Sequence, residues 1–365
     1  MDARTGRPAA PDPGLIDVRL SDLGEVAASI PQLLGFHPHE SVVLVSLTGP
    51  RASRVGLTMR VDIPAPRHAR AVSTALVEGA LTDRPGGVLL AIFSENPDLV
   101  AATGEELPHR ALVHDLVTGL AAHAVPVRDA ILVREGHWWS YDCPRPCCAP
   151  GAGTPLPAEL TELEVAAVAT GVVVERDRAA LGARIAPPDR PARDAMAVTC
   201  AQVAVECAED ILARGWDTVA EQSWTALLEA LARFRPGAPT SGAGLSDREV
   251  ARLLWGLRDR AVRDRALELA LGADAPAAEQ LWTECTRRTP APLDAAPATL
   301  LAVSAWLRGD GAMANVALER ALTSEPDYRL ALLLSEALEA CLPPAELREL
   351  LRATSERSDH TFPAG

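Results

Sequence analysis

The sequence predicts an α/β N-terminal domain followed by an all-α C-terminal domain, on three observations. Up to about residue 140, apolar runs of strand length alternate with stretches of helical period. After about 190 the strand signals nearly vanish, and a period of 3.6 continues to about 350. Between the two lies 143–160, rich in Pro, Gly and Cys (CPRPCCAPGAGTPLP), which has the composition of a structured loop. The expected division is a lead-in at 1–14, an α/β domain at 15–185, a helical domain at 190–350 and a flexible tail at 351–365.

The elements come in this order. LIDVRL, 15–20, alternates as a strand does. Ser21 is a good N-cap for the helix SDLGEVAASIPQLLGF, and Asp22 and Glu25 favour its first turn. Pro31 is expected to end or kink this helix, and Gly35 to stop any helical continuation. SVVLVSL, 41–47, is β-branched and continuously apolar, as a buried strand is. After a Gly-Pro turn, RVGLTMRVDIP, 54–64, is a second strand. Val55, Leu57, Met59, Val61 and Ile63 share one face, and Thr58, Arg60 and Asp62 the other.

RHARAVSTALVEGAL is helical and GGVLLAIFS is a buried strand. A helix around 105–124 comes next, and then DAILVREGHWWSY, a strand or a hairpin with a Gly turn. Strand–helix–strand units argue for a mostly parallel layered sheet with flanking helices, and the hairpin at 42–62 makes it mixed. In the helical half, 235–244 (RPGAPTSGAG) is a flexible break. Ala314, Leu318, Ala321 and Pro326 keep the spacing of the second helix and exit turn of a tetratricopeptide unit, with Leu301 in its first helix. The helical domain is therefore expected to be partly tetratricopeptide-like.

Composition narrows the partners. The chain has 365 residues, enough for a sizeable core, and 48% hydrophobic content excludes a disordered chain. Aromatics are only 4%, which suits close helix packing on small side chains. All 35 basic residues are Arg, and the net charge is −14, so nucleic acid is not the default partner. MDARTGRPAAPDPGL lacks an apolar signal core, and no apolar run approaches the ~18 residues of a membrane span. Seven cysteines without a secretory signal point to reduced thiols in the cytoplasm.

IPQLLGFHPHESVVLVSL, LTMRVDIP and CPRPCCAPGAG, together with LLAVSAWLRGDGAMANVALERALTSEPDYRLALLL, resemble a bacterial family called domain of unknown function 4192. The resemblance covers roughly residues 15–345. It implies a cytoplasmic actinobacterial protein and carries no established activity. It also implies an acidic or polar residue more often than histidine at the position of His39.

Three groups are candidates for chemistry. His37, His39 and Glu40 offer metal or acid/base donors, but Pro38 drives His37 toward an extended conformation, so the two rings point apart. A helix-to-strand turn explains the same residues, and His37 is the histidine that stays a candidate. Arg60 and Asp62 leave the same strand face, as a structural ion pair or as an anion clamp and a base beside His37. Arg60 and Trp138 are candidates for ligand binding, although Trp138 and Trp139 also suit a sheet cover.

Cys143, Cys147 and Cys148, with His137, are the candidate zinc ligands. Structural thiols and a redox or nucleophilic role are the alternatives. Cys200 and Cys207, seven apart on one helix face, belong to the core, and the charged run 258–265 to a solvated helix face. The chain has no P-loop, no G-x-G-x-x-G after a strand, no G-x-S-x-G and no H-E-x-x-H. The expected function is therefore a ligand- or protein-binding adaptor. The alternatives are an enzyme, such as a hydrolase, around His37, Arg60 and Asp62, and a zinc- or redox-responsive regulator acting through the Cys loop.

Overall fold

A computed structural model describes residues 22–96, 106–158, 165, 173–237 and 244–359. The strand expected at 15–20, the cap expected at Ser21 and most of the apolar run at 159–172 lie outside the described residues.

The first helix, α1 (Leu23–Leu34), is capped by Asp22, whose carboxylate accepts from Glu25 N at 2.8 Å. It runs through Pro31, which was expected to end or kink it, and burial of Ile30, Pro31 and Leu34 holds its last turn to the core. Gly35 ends it in the left-handed conformation, φ 75°. A Cβ at Gly35 would meet nothing closer than Asp310 Oδ1 at 3.8 Å, so substitution there strains only the backbone. Gly35→Ala is expected to cost about 1 kcal/mol, read as a fall of a few degrees in the thermal transition followed by circular dichroism. An unchanged transition would contradict this.

The sheet contains β1 (Ser41–Thr48), β2 (Arg54–Asp62), β3 (Gly87–Phe93), β4 (Val127–Arg134), β5 (His137–Ser140) and β6 (Thr154–Pro155), in the order β2-β1-β3-β4-β5-β6. It is mixed, but among the described residues only β3 and β4 pair in parallel, and the other four pairs are antiparallel. The expectation of a mostly parallel sheet is corrected here. The physical reason is the place of β1. It lies between β2 and β3 and is antiparallel to both, so the crossover α2 (Ala69–Thr82) joins two strands that run the same way without touching. The crossover α3 (Arg110–Ala122) joins the parallel neighbours β3 and β4. At the β4–β5 turn Glu135 and Gly136 both have positive φ, 48° and 71°, which matches the twist of a two-residue hairpin.

Both crossovers move in the same direction across the sheet, so α2 and α3 share one face. Under them lie Val42, Leu44, Val88, Leu90, Ile92 and Leu132, with Met59, Val61 and Ile63 at the edge. Among the described residues the sheet therefore has no point where the crossovers diverge, the place where open α/β folds usually form a ligand crevice. Its other face presents Val43, Val45, Ala91, Phe93, Ile131 and Val133 to α1 and to the helical region.

That region comprises α4 (Arg178–Ala183), α5 (Arg190–Arg214), α6 (Trp216–Ala232), α7 (Asp247–Gly256), α8 (Arg260–Glu268), α9 (Ala275–Arg288), α10 (Ala295–Arg308), α11 (Gly311–Ser324), α12 (Arg329–Glu339) and α13 (Pro344–Asp359). The last of these enters the stretch expected to form a tail. One apolar cluster runs from the sheet face through α1 to Trp282, Leu301 and Leu318. Leu301, Ala314, Leu318 and Ala321 all lie inside the α10–α11 hairpin, and buried alanines there let the two helices approach closely. Cys207 is buried and Cys200 half-buried, both facing the core as expected.

Candidate functional site

Strand pairing gathers the polar candidates at one end of the sheet. Ser41 at the start of β1 lies opposite Asp62 at the end of β2 and Phe93 at the end of β3, and Phe93 pairs with Val133 near the end of β4. His37, His39, Glu40, Arg60 and Asp62 therefore share this end with Ser94, Glu95 and the β4–β5 turn.

Arg60 and Asp62 do meet, at 2.6 Å, with Arg60 mostly covered and Asp62 81% exposed. The guanidinium also donates to Ser41 Oγ at 2.8 Å and to His39 O at 3.3 Å, and lies 5.8 Å from the centre of the buried Phe36 ring. It fastens the His39 turn to β2. His37 does not join them. Its ring is exposed, and its backbone N–H donates to Glu175 O at 3.0 Å, where the chain returns beside Phe36. His39 is exposed too, and contributes its carbonyl rather than its ring.

The node of this end is Glu40. Its backbone carbonyl accepts from Ile63 N at 2.9 Å, just past β2. Its carboxylate reaches the other way, to Ser94 Oγ at 2.9 Å, Glu95 N at 2.8 Å and Asn96 N at 3.2 Å, just past β3. Burial pushes its carboxyl up, but the donors from Ser94, Glu95 and Asn96 outweigh this and hold it below its usual value. Glu95 repeats the device one strand further on, taking Glu135 N at 3.0 Å on its own carboxylate. Strand ends, like helix ends, leave N–H groups unpaired, and these carboxylates receive them.

His109 Nε2 stands 3.0 Å from Ser94 Oγ, so a serine, a histidine and a glutamate meet here. They are not arranged as a nucleophile, its base and the base's orienting acid. Glu40 bonds the serine rather than the imidazole, and Ser94 is only 2% exposed. Ser94, Glu95 and His109 were not singled out from the sequence. Glu40 and Ser94 are 54 residues apart, and no periodicity connects them.

The thiols lie at the other end of β5. The 143–153 loop folds against Trp139, whose Nε1 donates to Ala149 O at 3.1 Å and whose ring leaves no room for a Cβ at Gly153. A short 3-10 turn, Pro146–Cys148, then brings Cys143, Cys147 and Cys148 together, with all three Sγ atoms within 4.8 Å of one another. Cys148 is buried and accepts from Ser140 N at 3.3 Å, Cys143 is half-buried, and Cys147 is exposed.

The backbone N–H of Arg145 lowers the Cys143 thiol against the opposing effect of burial, with further help from the neighbouring thiols. Burial pushes Cys148 up to about 11. Backbone N–H groups aimed at sulfur stabilise a thiolate. His137 is not part of this group. It begins β5 while the thiols sit beyond Ser140, and its Nδ1 lies 2.8 Å from Glu135 O. Trp138 packs under the first turn of α1, where a Cβ at Gly24 would lie 3.0 Å from its Nε1.

Residues 24–345 match the family described as Domain of unknown function (DUF4192). The chain belongs to the DUF4192 family. No curated protein and no solved structure matches it. The geometry of this DUF4192 chain offers a sheet end whose charged groups are engaged with one another, and three thiols converging on a point. No helix among the described residues is long and apolar enough to cross a membrane.

Proposed function

We propose that this DUF4192 protein is a ligand-binding protein without catalytic chemistry of its own, and that it holds a thiophilic metal ion, Zn²⁺, on Cys143, Cys147 and Cys148. One observation carries this: three sulfur atoms within 4.8 Å of one another, with the Arg145 amide of the loop on Cys143 and the Ser140 amide of β5 on Cys148. Zinc takes thiolates in tetrahedral sites, and three protein ligands leave a fourth position for an outside donor. The mutual engagement of Arg60, Asp62, Ser41 and His39 favours binding over an enzyme built at the sheet end. We also infer a cytoplasmic setting, where free thiols persist, and read the buried small residues of α10 and α11 as tetratricopeptide-like packing that serves as scaffold.

Titration of the reduced full-length chain with Co²⁺ tests this directly. A thiolate-to-cobalt charge-transfer band saturating at one ion per chain, and bleached by Zn²⁺, is the expected result. A chain that develops no such band with excess Co²⁺ would sink the proposal. The affinity should also depend on pH. Cys148, at about 11, is protonated at neutral pH and must lose its proton to become a ligand. Apparent affinity is therefore expected to rise by at least about tenfold per pH unit between about pH 6 and pH 8. A flat profile would show that Cys148 is not a ligand.

A further inference from the structure

The longest described helix is apolar on two opposite sides. The inner side of α5 buries Met196, Val203 and Cys207 in the core. The outer side exposes Val198 at 58%, Val205 at 60% and Leu212 at 88%, with Ala201 and Ala208 exposed between them. These five positions recur at intervals of three and four residues, the spacing of a coiled-coil seam. Such a stripe on a surface helix marks an interface rather than scattered surface apolarity. Large and small side chains alternate along it, Val, Ala, Val, Ala, Leu.

We propose that the seam of α5 pairs with the same seam of a second copy of this chain, antiparallel, about a two-fold axis between residues 206 and 207. The alternation selects this occupant. About that axis Val205 meets Ala208 of the second copy and Leu212 meets its Ala201, so each layer sets one large side chain against one small one. Val198 meets Gly215 of the second copy at the end of the seam. Of the two neighbouring registers, half a heptad away on either side, one would set Leu212 against the acidic Asp194 and is disfavoured by the cost of covering that charge, and the other would slide Val198 and Ala201 past the end of the partner helix at Arg214.

The rim agrees. Gln202 and Glu209 flank the seam, and the two-fold sets the Gln202 amide of one copy beside the Glu209 carboxylate of the other, donor to acceptor. A two-fold contact uses the same patch twice and closes, giving a dimer and not a fibre. The core of each chain lies behind α5 and does not change on pairing. A single helix pair buries less than the ~1,200 Å² of a small stable interface, so the dimer is expected to be weak, with a Kd of roughly 10 µM.

Sedimentation velocity or light scattering on the reduced, metal-free, full-length chain tests this independently of the thiol site. The expected result is a monomer–dimer equilibrium across that concentration range. Val205→Glu should shift it to monomer, weakening association by at least about 100-fold, with an unchanged circular dichroism melt. Ala208→Leu is the second variant. It adds apolar surface, so a seam recruiting any apolar partner should associate more strongly, whereas large-against-small layers overpack and should weaken. A wild-type chain that stays monomeric at about ten times that Kd, a Val205→Glu chain that still dimerises, or tighter association of Ala208→Leu would each overturn the proposal.

Discussion

Cys147→Ser is expected to lower the affinity for Zn²⁺ by about 100-fold or more, because structural zinc sites draw ~10–16 kcal/mol from a few thiolate or imidazole bonds. Loss of one of three protein ligands removes about 3 kcal/mol at least. The choice of Cys147 separates a metal site from a packed loop. Its thiol is exposed, so the metal-free variant should melt within about 0.5 kcal/mol of wild type. Cys148 is buried and accepts the Ser140 N–H, so Cys148→Ala should lose both metal affinity and about 1–2 kcal/mol of stability. Were the three thiols only an anchor, Cys147→Ser would be silent in both measurements. Competition against a chromophoric chelator gives the affinity, and thermal melts in chelator give the stability. Wild-type zinc affinity in Cys147→Ser would defeat the metal reading.

The parts of the molecule that were legible in the sequence are the local ones. Period-two alternation put Met59 and Val61 on one face of β2, with Ile63 just beyond it, and Arg60 with Asp62 on the other, and the sheet has them so. Val55, expected on the same apolar face, is 48% exposed, because the register with β1 shifts between Thr58 and Val55. Cys143, Cys147 and Cys148 lie within six residues, so one turn decides whether they meet. His137 was grouped with them because it is near in sequence, yet β5 is extended and carries it to the opposite end. Strand direction was not legible. It depends on the insertion of β1 between β2 and β3, a pairing among residues that are distant in the chain. The outer seam of α5 was hidden for a different reason: two apolar stripes on opposite sides of a helix offset each other, so the sequence pattern points to no single outer face. The exposure of Val205 and Leu212 distinguishes the two, and only the packed structure supplies it.

Glu40→Ala is expected to destabilise the chain by about 3 kcal/mol, since hydrogen bonds to a charged acceptor contribute ~1.5–3 kcal/mol each and partial exposure here reduces the sum. The amides of Glu95 and Asn96 lose their acceptor at once, and Ser94 Oγ is left with Asn96 O at 3.1 Å. Glu40 also has φ 43°, a left-handed conformation that strains an L side chain. Glu40→Gly removes the same carboxylate but relieves that strain, and should cost about 1 kcal/mol less than Glu40→Ala. Glu40→Gln keeps an oxygen for the two amides and turns an NH₂ toward Ser94, so it should cost the least of the three.

Its pH dependence isolates the charge. The folded-state carboxyl of Glu40 is held below its usual value, so the advantage of wild type over Glu40→Gln is complete above the unfolded value of about 4.3. It declines as pH falls below that value and is lost once pH has passed through the lower folded value. Urea unfolding of both chains from neutral to acidic pH should therefore show a gap that is constant near neutrality and closes in acid. A gap of constant size throughout would mean that Glu40 acts through shape alone. The end of the sheet would then be held by its backbone pairing and not by the carboxylate.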